Sequence, residues 1–263
     1  MRLIFIRHGE PDYATDTLTE NGRIEAAALA ERTVKWDVDR FFCSPLGRAR
    51  LTAEPTLRAL GRTASERQWL QEFMLKITDP VTNEVQGPWD LQPEYMAEDP
   101  VLYDREKWFR AEVYKDHPEI EERWREVCGG LDEILEGYGY KRSGRCWHFQ
   151  NPDGSILPAE KEDIMLHGTK EYEIRDDDDE KTAVFFCHFG VTCVMLAHLL
   201  GVSPMALWHG TVIPPTGITV VNAEKRYHNT VNFRIQTLGD CTHLLERGVR
   251  ISGFAAFSTV FQK

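Results

Sequence analysis

The sequence predicts an α/β protein, a three-layer sandwich with a mostly parallel central sheet, helices on both faces and an inserted cap. Three observations lead there. First, Leu3-Ile4-Phe5-Ile6 and Ala183-Val184-Phe185-Phe186 are apolar at every position, as strands covered on both faces are. Each run meets a histidine two residues later and a glycine soon after. Second, helical stretches alternate with strand-like ones. Third, this alternation breaks between about residues 74 and 182, which read as an insertion forming a cap on a single domain that spans residues 1–263.

The elements follow in order. Arg7-His8-Gly9-Glu10 closes the first strand, and polar groups there sit at the mouth of the sheet, where open α/β sheets bind ligands. Thr19 is a suitable N-cap for a helix over residues 20–32, with Glu20 in the first turn. Ile24, Ala28 and Leu29 fall on one face of it, and Glu25, Glu31 and Arg32 on others. Residues 38–43 read as a strand. Ser44-Pro45 turns the chain into a second helix, ended by Gly61, on which Arg48 and Thr52 share a face. Residues 65–70 read as a weaker strand, and Glu72 is the first acid after it.

Residues 74–100 look loop-like and 101–137 helical, with Pro118 at a helical N1 position. Tyr103, Trp108, Phe109, Tyr114 and Trp124 read as core or lid packing. Residues 137–158 read as turns with a short hairpin, and Asn151-Pro152-Asp153-Gly154 as a turn. The acids at 176–180 read as a solvated loop rather than a metal site. A helix over residues 191–200, stopped by Gly201, aims its N–H groups at the rim beside His188, a ready anion site. His198 reads as packing or surface, while His209 and His243 carry no local signal. Residues 218–222 and 231–237 are further strands. Phe254 and Phe257 are suited to docking on the body or on a second copy of the chain in a homodimer.

Composition narrows the function. A 263-residue chain with 42% hydrophobic and 28% charged residues reads as a soluble globular protein. The net charge of −11 argues against a nucleic acid or an anionic membrane as partner. No run approaches the roughly 20 apolar residues of a membrane span, and the opening is too short and too quickly charged for a signal peptide. The six cysteines show no C-x-x-C pair, which fits a reducing cytoplasm without structural disulfides. An anionic small substrate needs a local cluster of arginines against this acidic background.

Taken together, Arg7-His8-Gly9-Glu10, Ser44-Pro45-Leu46-Gly47-Arg48-Ala49 and Cys187-His188-Phe189-Gly190 resemble the histidine phosphatase superfamily, the phosphoglycerate-mutase-like fold. Leu18-Thr19-Glu20-Asn21-Gly22-Arg23 and Asp240-Cys241-Thr242-His243-Leu244 resemble further segments of that family. Leu70-Gln71-Glu72-Phe73, followed by Gly87-Pro88-Trp89-Asp90, is similar to its acid-bearing segment at an expanded spacing. The resemblance implies a phosphate pocket of His8, His188, Arg7 and Arg48, with the Phe189 backbone N–H facing the phosphate. It makes His8 the nucleophile and Glu72 the general acid and then base, with Asp79 or Glu84 as alternative acids. It implies no metal and no cofactor.

The expected activity is a metal-independent phosphatase that hydrolyses a small phosphomonoester through a phosphohistidine, in the manner of histidine acid phosphatases. Phosphoglycerate mutase-type transfer is the alternative, although the mutases' histidine-tyrosine-glycine run is absent after Glu72. A non-catalytic phosphate-binding or regulatory domain is the reading from another class.

Overall fold

The structure, a computed structural model, describes residues 1–150, 181–225 and 229–254. In chain order its elements are β1 (Arg2–Arg7), β2 (Pro11–Asp12), β3 (Thr17–Leu18), α1 (Glu20–Thr33), β4 (Arg40–Cys43), α2 (Gly47–Leu60), β5 (Ser65–Glu66), β6 (Ile77–Thr78), β7 (Val85–Gln86) and α3 (Pro93–Glu98). After these come α4 (Glu119–Glu136), β8 (Tyr140–Ser143), β9 (Cys146–Phe149), β10 (Thr182–Cys187), α5 (Phe189–Leu200), α6 (Pro204–Trp208), β11 (Ile218–Lys225), β12 (Thr230–Asp240) and α7 (Thr242–Leu245).

The central sheet is mixed, in the order β5-β4-β10-β1-β11-β12-β9-β8. Its core strands β5, β4, β10 and β1 are parallel, and the pairs beyond β1 are antiparallel. Alternate residues of the buried strands serve opposite faces, as the two-residue period requires. Leu3, Phe5, Phe42 and Phe185 join a core with Val127 and Leu131 of α4 and Val191 and Val194 of α5. Ile4, Ile6, Phe41, Val184 and Phe186 join a second core with Leu29 of α1 and Ala49 and Ala53 of α2. This is the expected sandwich. Each fully buried large apolar side chain contributes about 1.5–3 kcal/mol.

The helix ends at Gly61 and Gly201 are as expected, with left-handed φ of 60° and 69°. Elsewhere tertiary packing overrides local pattern. On α1, Ala28 and Leu29 are buried as expected, but Ile24 is 49% exposed and Glu25 is fully buried, hydrogen-bonded beneath the loop after β1. Residues 100–114 form short 3₁₀ turns rather than one helix. Asp99 caps the first of these turns and Asp104 accepts from the Glu106 N–H, local side-chain bonds that compete with a helix. Pro118 precedes α4 instead of occupying its first turn. The expected strand over 65–70 shortens to β5 followed by a 3₁₀ turn. Residues 74–100 carry the β6–β7 hairpin and α3.

The expected hairpin after residue 137 is β8–β9, and it extends the central sheet by pairing with β12. The described part of the insertion thus shares the core of the sheet. The turn expected at 151–154, the acids at 176–180 and Phe257 lie outside the described residues. All six cysteines are free thiols. No helix among the described residues is long and apolar enough to cross a membrane.

Two neighbouring glycines of α4 test the packing. A Cβ on Gly129 meets nothing within 4 Å, whereas one on Gly130 falls 2.3–2.5 Å from the Trp69 indole. Gly129→Ala is expected to stabilise the protein by up to about 1 kcal/mol through helix propensity. Gly130→Ala is expected to lose more than that gain, about 1–3 kcal/mol by overpacking. Urea unfolding of the two variants reads the difference.

Candidate active site

The site lies where parallel strands end. β1 and β10 run in register from Arg2 with Thr182 to Arg7 with Cys187, so the next residues, His8 and His188, emerge side by side. Their ring centroids are 5.1 Å apart, and both rings are buried. β4 ends next to β10, which brings Ser44 and the start of α2 to the same rim.

His8 has a defined tautomer. Its Nδ1 lies 2.7 Å from the Gly9 carbonyl, which accepts hydrogen bonds only, so the proton sits on Nδ1 and Nε2 keeps its lone pair. Burial and the neighbouring Arg7 and Arg48 push the His8 pKa well below the usual histidine range, so the ring is neutral. Burial, with His8 and the same arginines, does likewise to His188. His188 Nε2 is 2.8 Å from the Ser44 hydroxyl. Cys187, the adjacent thiol, is pushed up to about 12 by burial and is no nucleophile near neutrality.

The arginines are held from outside the hollow. Arg7 Nη1 donates to the Ile213 carbonyl at 2.6 Å. Arg48 Nη1 meets Asp16 Oδ1 at 2.5 Å, while Asp16 Oδ2 accepts from the Gly47 N–H at 2.7 Å, capping α2. Among the buried side-chain polar atoms without a hydrogen-bond partner are Arg7 Nε, Arg48 Nε and His188 Nδ1. Unpaired buried polar groups are rare in folded proteins, and these three belong to the residues around the paired imidazoles.

The loop after β1 is clamped on both sides. The Gly9 N–H donates to Thr52 Oγ1 at 2.9 Å, and that hydroxyl donates to the Arg48 carbonyl at 2.7 Å. The Glu10 N–H donates to Glu25 Oε2 at 2.7 Å. Burial pushes the Glu25 carboxyl up to about 7. The turn before β11 supports the other flank. The Thr216 N–H donates to the His8 carbonyl at 3.2 Å, and Thr216 Oγ1 pairs with His243 Nε2 at 3.0 Å.

Glu72 stands opposite, at the N-terminus of α5. Its Oε1 accepts from the Phe73 N–H at 2.8 Å and the Val191 N–H at 3.2 Å. Burial nevertheless raises its pKa above the usual carboxyl range, against the pull of those N–H groups and of Arg7. Arg123 of α4 holds this segment by donating to the Trp69 and Gln71 carbonyls. Gly190 lets Glu72 and Trp89 come close: a Cβ there would fall 2.7 Å from Glu72 Oε1 and 2.5 Å from the Trp89 ring. Trp89 packs edge-on against Phe189, whose ring lies 6.0 Å from the Arg7 guanidinium carbon.

The alternative acids differ. Asp79 is buried in its turn, and its two oxygens accept from the Val81, Thr82 and Gln92 N–H groups, the Thr82 hydroxyl and the Gln86 amide. Those bonds lower its pKa despite burial, so it holds no proton to give. Glu84 is exposed on the β6–β7 hairpin loop. Among the described residues no cluster of three or more histidine, cysteine, aspartate or glutamate side chains can hold a metal ion.

A profile of the histidine phosphatase superfamily (branch 1) matches residues 3–137. The chain belongs to the histidine phosphatase superfamily. It is 24% identical to a probable phosphatase of Schizosaccharomyces pombe over 93% of this chain and 95% of that protein. Its fold is similar to that of a mutant phosphoserine phosphatase from Entamoeba histolytica solved with phosphoserine. There the TM-score is 0.54 and the identity 19%, over 92% of this chain and 98% of the other. It is also similar to a mycobacterial glucosyl-3-phosphoglycerate phosphatase, with a TM-score of 0.52 and 19% identity over 90% and 98% of the two chains.

The structure brings together His8, His188, Arg7, Arg48, Phe189 and Glu72. It adds partners the sequence did not single out: Asp16, Ser44, Trp89, Arg123, the 213–217 turn and His243. Ser44, Trp89 and His243 lie inside quoted motifs, whereas Asp16, Arg123 and the 213–217 turn carried no local signal. If Asp16 orients Arg48, Asp16→Ala will weaken inhibition by inorganic phosphate about tenfold. It will cost only about 1 kcal/mol of stability, as loss of a helix cap does; inhibition assays beside thermal unfolding measure both.

Proposed function

We propose that the protein is a metal-independent phosphatase that hydrolyses a small phosphomonoester through a phosphohistidine on His8. The observation that carries this reading is the neutral His8 ring. Its Nδ1–H is committed to the Gly9 carbonyl, so its Nε2 keeps a lone pair beside His188 and two arginines whose Nε atoms are unpaired.

In this mechanism His8 Nε2 attacks phosphorus and the P–O bond to the leaving group breaks. Arg7 and Arg48 bring two positive charges to a phosphoryl group whose negative charge spreads over three oxygens. If the Ser44 hydroxyl donates to His188 Nε2, then His188 Nδ1–H faces a phosphoryl oxygen as a further donor. Glu72 gives its proton to the leaving oxygen and next takes one from water as that water attacks the phosphohistidine. Its Oε1 is occupied by two backbone N–H groups, which leaves Oε2 to carry the proton. The raised carboxyl pKa supports this role.

The aromatic surroundings, Trp89 and Phe189 on one side and the exposed Tyr13 on the other, suit a leaving group with apolar or ring character. The names of the similar phosphatases fit a small phosphorylated metabolite as the substrate class.

Turnover of p-nitrophenyl phosphate in EDTA tests the reading. His8→Ala is expected to abolish it, and quenching the wild type during turnover should trap acid-labile, base-stable phosphate on His8. Substantial activity in His8→Ala overturns the nucleophile assignment. Glu72→Gln separates the acid role. A p-nitrophenolate leaves without a proton but an alkoxide needs one, so the variant should lose about 10²-fold or more on an alkyl phosphate and much less on the aryl ester. Activity on the alkyl ester should also fall as pH rises through the raised Glu72 pKa, because the acid form is lost, and Glu72→Gln should lack that alkaline limb.

A further inference from the structure

At the far end of α5 from His188, four arginines surround one cavity of about 330 Å³. Arg105, Arg142, Arg145 and Arg234 line it together with His198 and Trp147, and no carboxylate is among its lining residues. The 12 residues of α5 separate this cavity from the histidine hollow by about 18 Å at 1.5 Å per residue. On a chain of net charge −11, such a concentration of guanidinium groups is a local reversal of the prevailing field.

Arg142 is the built part of the cavity. Its Nε donates to the Gly144 carbonyl at 3.2 Å, and its Nη1 donates to His198 Nδ1 at 2.9 Å. His198, itself buried, donates from Nε2 to Asp132 Oδ1 at 2.6 Å. This relay fixes the histidine tautomer and the plane of the guanidinium. Arg142 forms no ion pair with a carboxylate among the described residues. Arg105 and Arg145 share Glu106, at 3.6 and 3.4 Å, and Arg234 pairs with Glu224 at 2.5 Å. Even with Asp132 included, four guanidinium groups face three carboxylates among the described residues.

We propose that this cavity is a second anion site, separate from the histidine hollow, for a compact small molecule of the diphosphate class. Planar guanidinium forks match phosphate oxygens in pairs, and several converging on one cavity favour a ligand with more than one phosphate. The volume lies at the small end of the range for small-molecule sites, about 300–1,000 Å³, and fits a diphosphate with a small substituent. Trp147, which packs edge-on to His198 at 5.6 Å, supplies an apolar wall.

Calorimetric titration with methylenediphosphonate, a diphosphate that hydrolysis cannot split, tests the site. Arg48→Ala provides a background in which the histidine hollow is crippled. One equivalent is expected to bind that background, and adding Arg142→Ala should weaken it at least tenfold. Arg145→Glu, on the exposed lip, should weaken it similarly and guards against a folding defect at Arg142. The proposal is overturned if the Arg48→Ala protein binds nothing, or if neither second substitution changes its affinity. The phosphatase reading stands or falls independently on His8.

Discussion

The parallel register between β1 and β10 is the constraint on which the rest of the structure depends. It pairs Arg7 with Cys187, and the next residue on each strand is a histidine. Slipping the register by one residue would move every side chain of a strand to the opposite face. That would exchange side chains between the two apolar cores and spoil the packing of both, because both strands are buried on both sides. The energy that fixes the register therefore comes from the whole sandwich, while its result is the 5.1 Å separation of two imidazoles. The hollow inherits its precision from packing that never touches a ligand.

Around that pair, the polar groups are held by bonds made behind them. His8 is oriented by its own neighbour's carbonyl, Arg7 by the Ile213 carbonyl, and Arg48 by Asp16. The two arginine anchors leave the Nε of each side chain buried and unpaired. Such groups cost free energy in the folded chain, and a bound phosphate would recover it. The same burial that depresses the two histidine pKa values raises that of Glu72. One desolvated environment thus favours the neutral form of both the base and the acid, the pair of protonation states that the proposed reaction needs.

The parts of this arrangement legible in the sequence are those with local patterns. The doubly buried strands announce themselves by unbroken apolar runs, and α2 and α5 by periodicity ended with Gly61 and Gly201. His8, His188, Arg7 and Arg48 sit at such ends, which made them legible too. What escaped depends on distant partners. Asp16 is an unremarkable loop acid until folding places it on Arg48, 32 residues away. Glu25 looked like a surface residue because the loop that buries it belongs to another element. Residues 100–114 looked helical because their aromatic spacing is compatible with a helix, yet their aspartates and the core around Trp108 favour separate turns.

The grip of Arg123 on the Trp69 and Gln71 carbonyls has a consequence for how this scaffold can diversify. The helix that bears Arg123 belongs to the segment that also supplies Trp89 to the rim. Remodelling that segment to admit a new leaving group would also shift the strut that aims Glu72. In the proposed mechanism, substrate range and proton delivery are therefore mechanically linked. A homologous segment transplanted from another family member would have to bring a matching brace, or the chimera would bind its new ligand without turning it over.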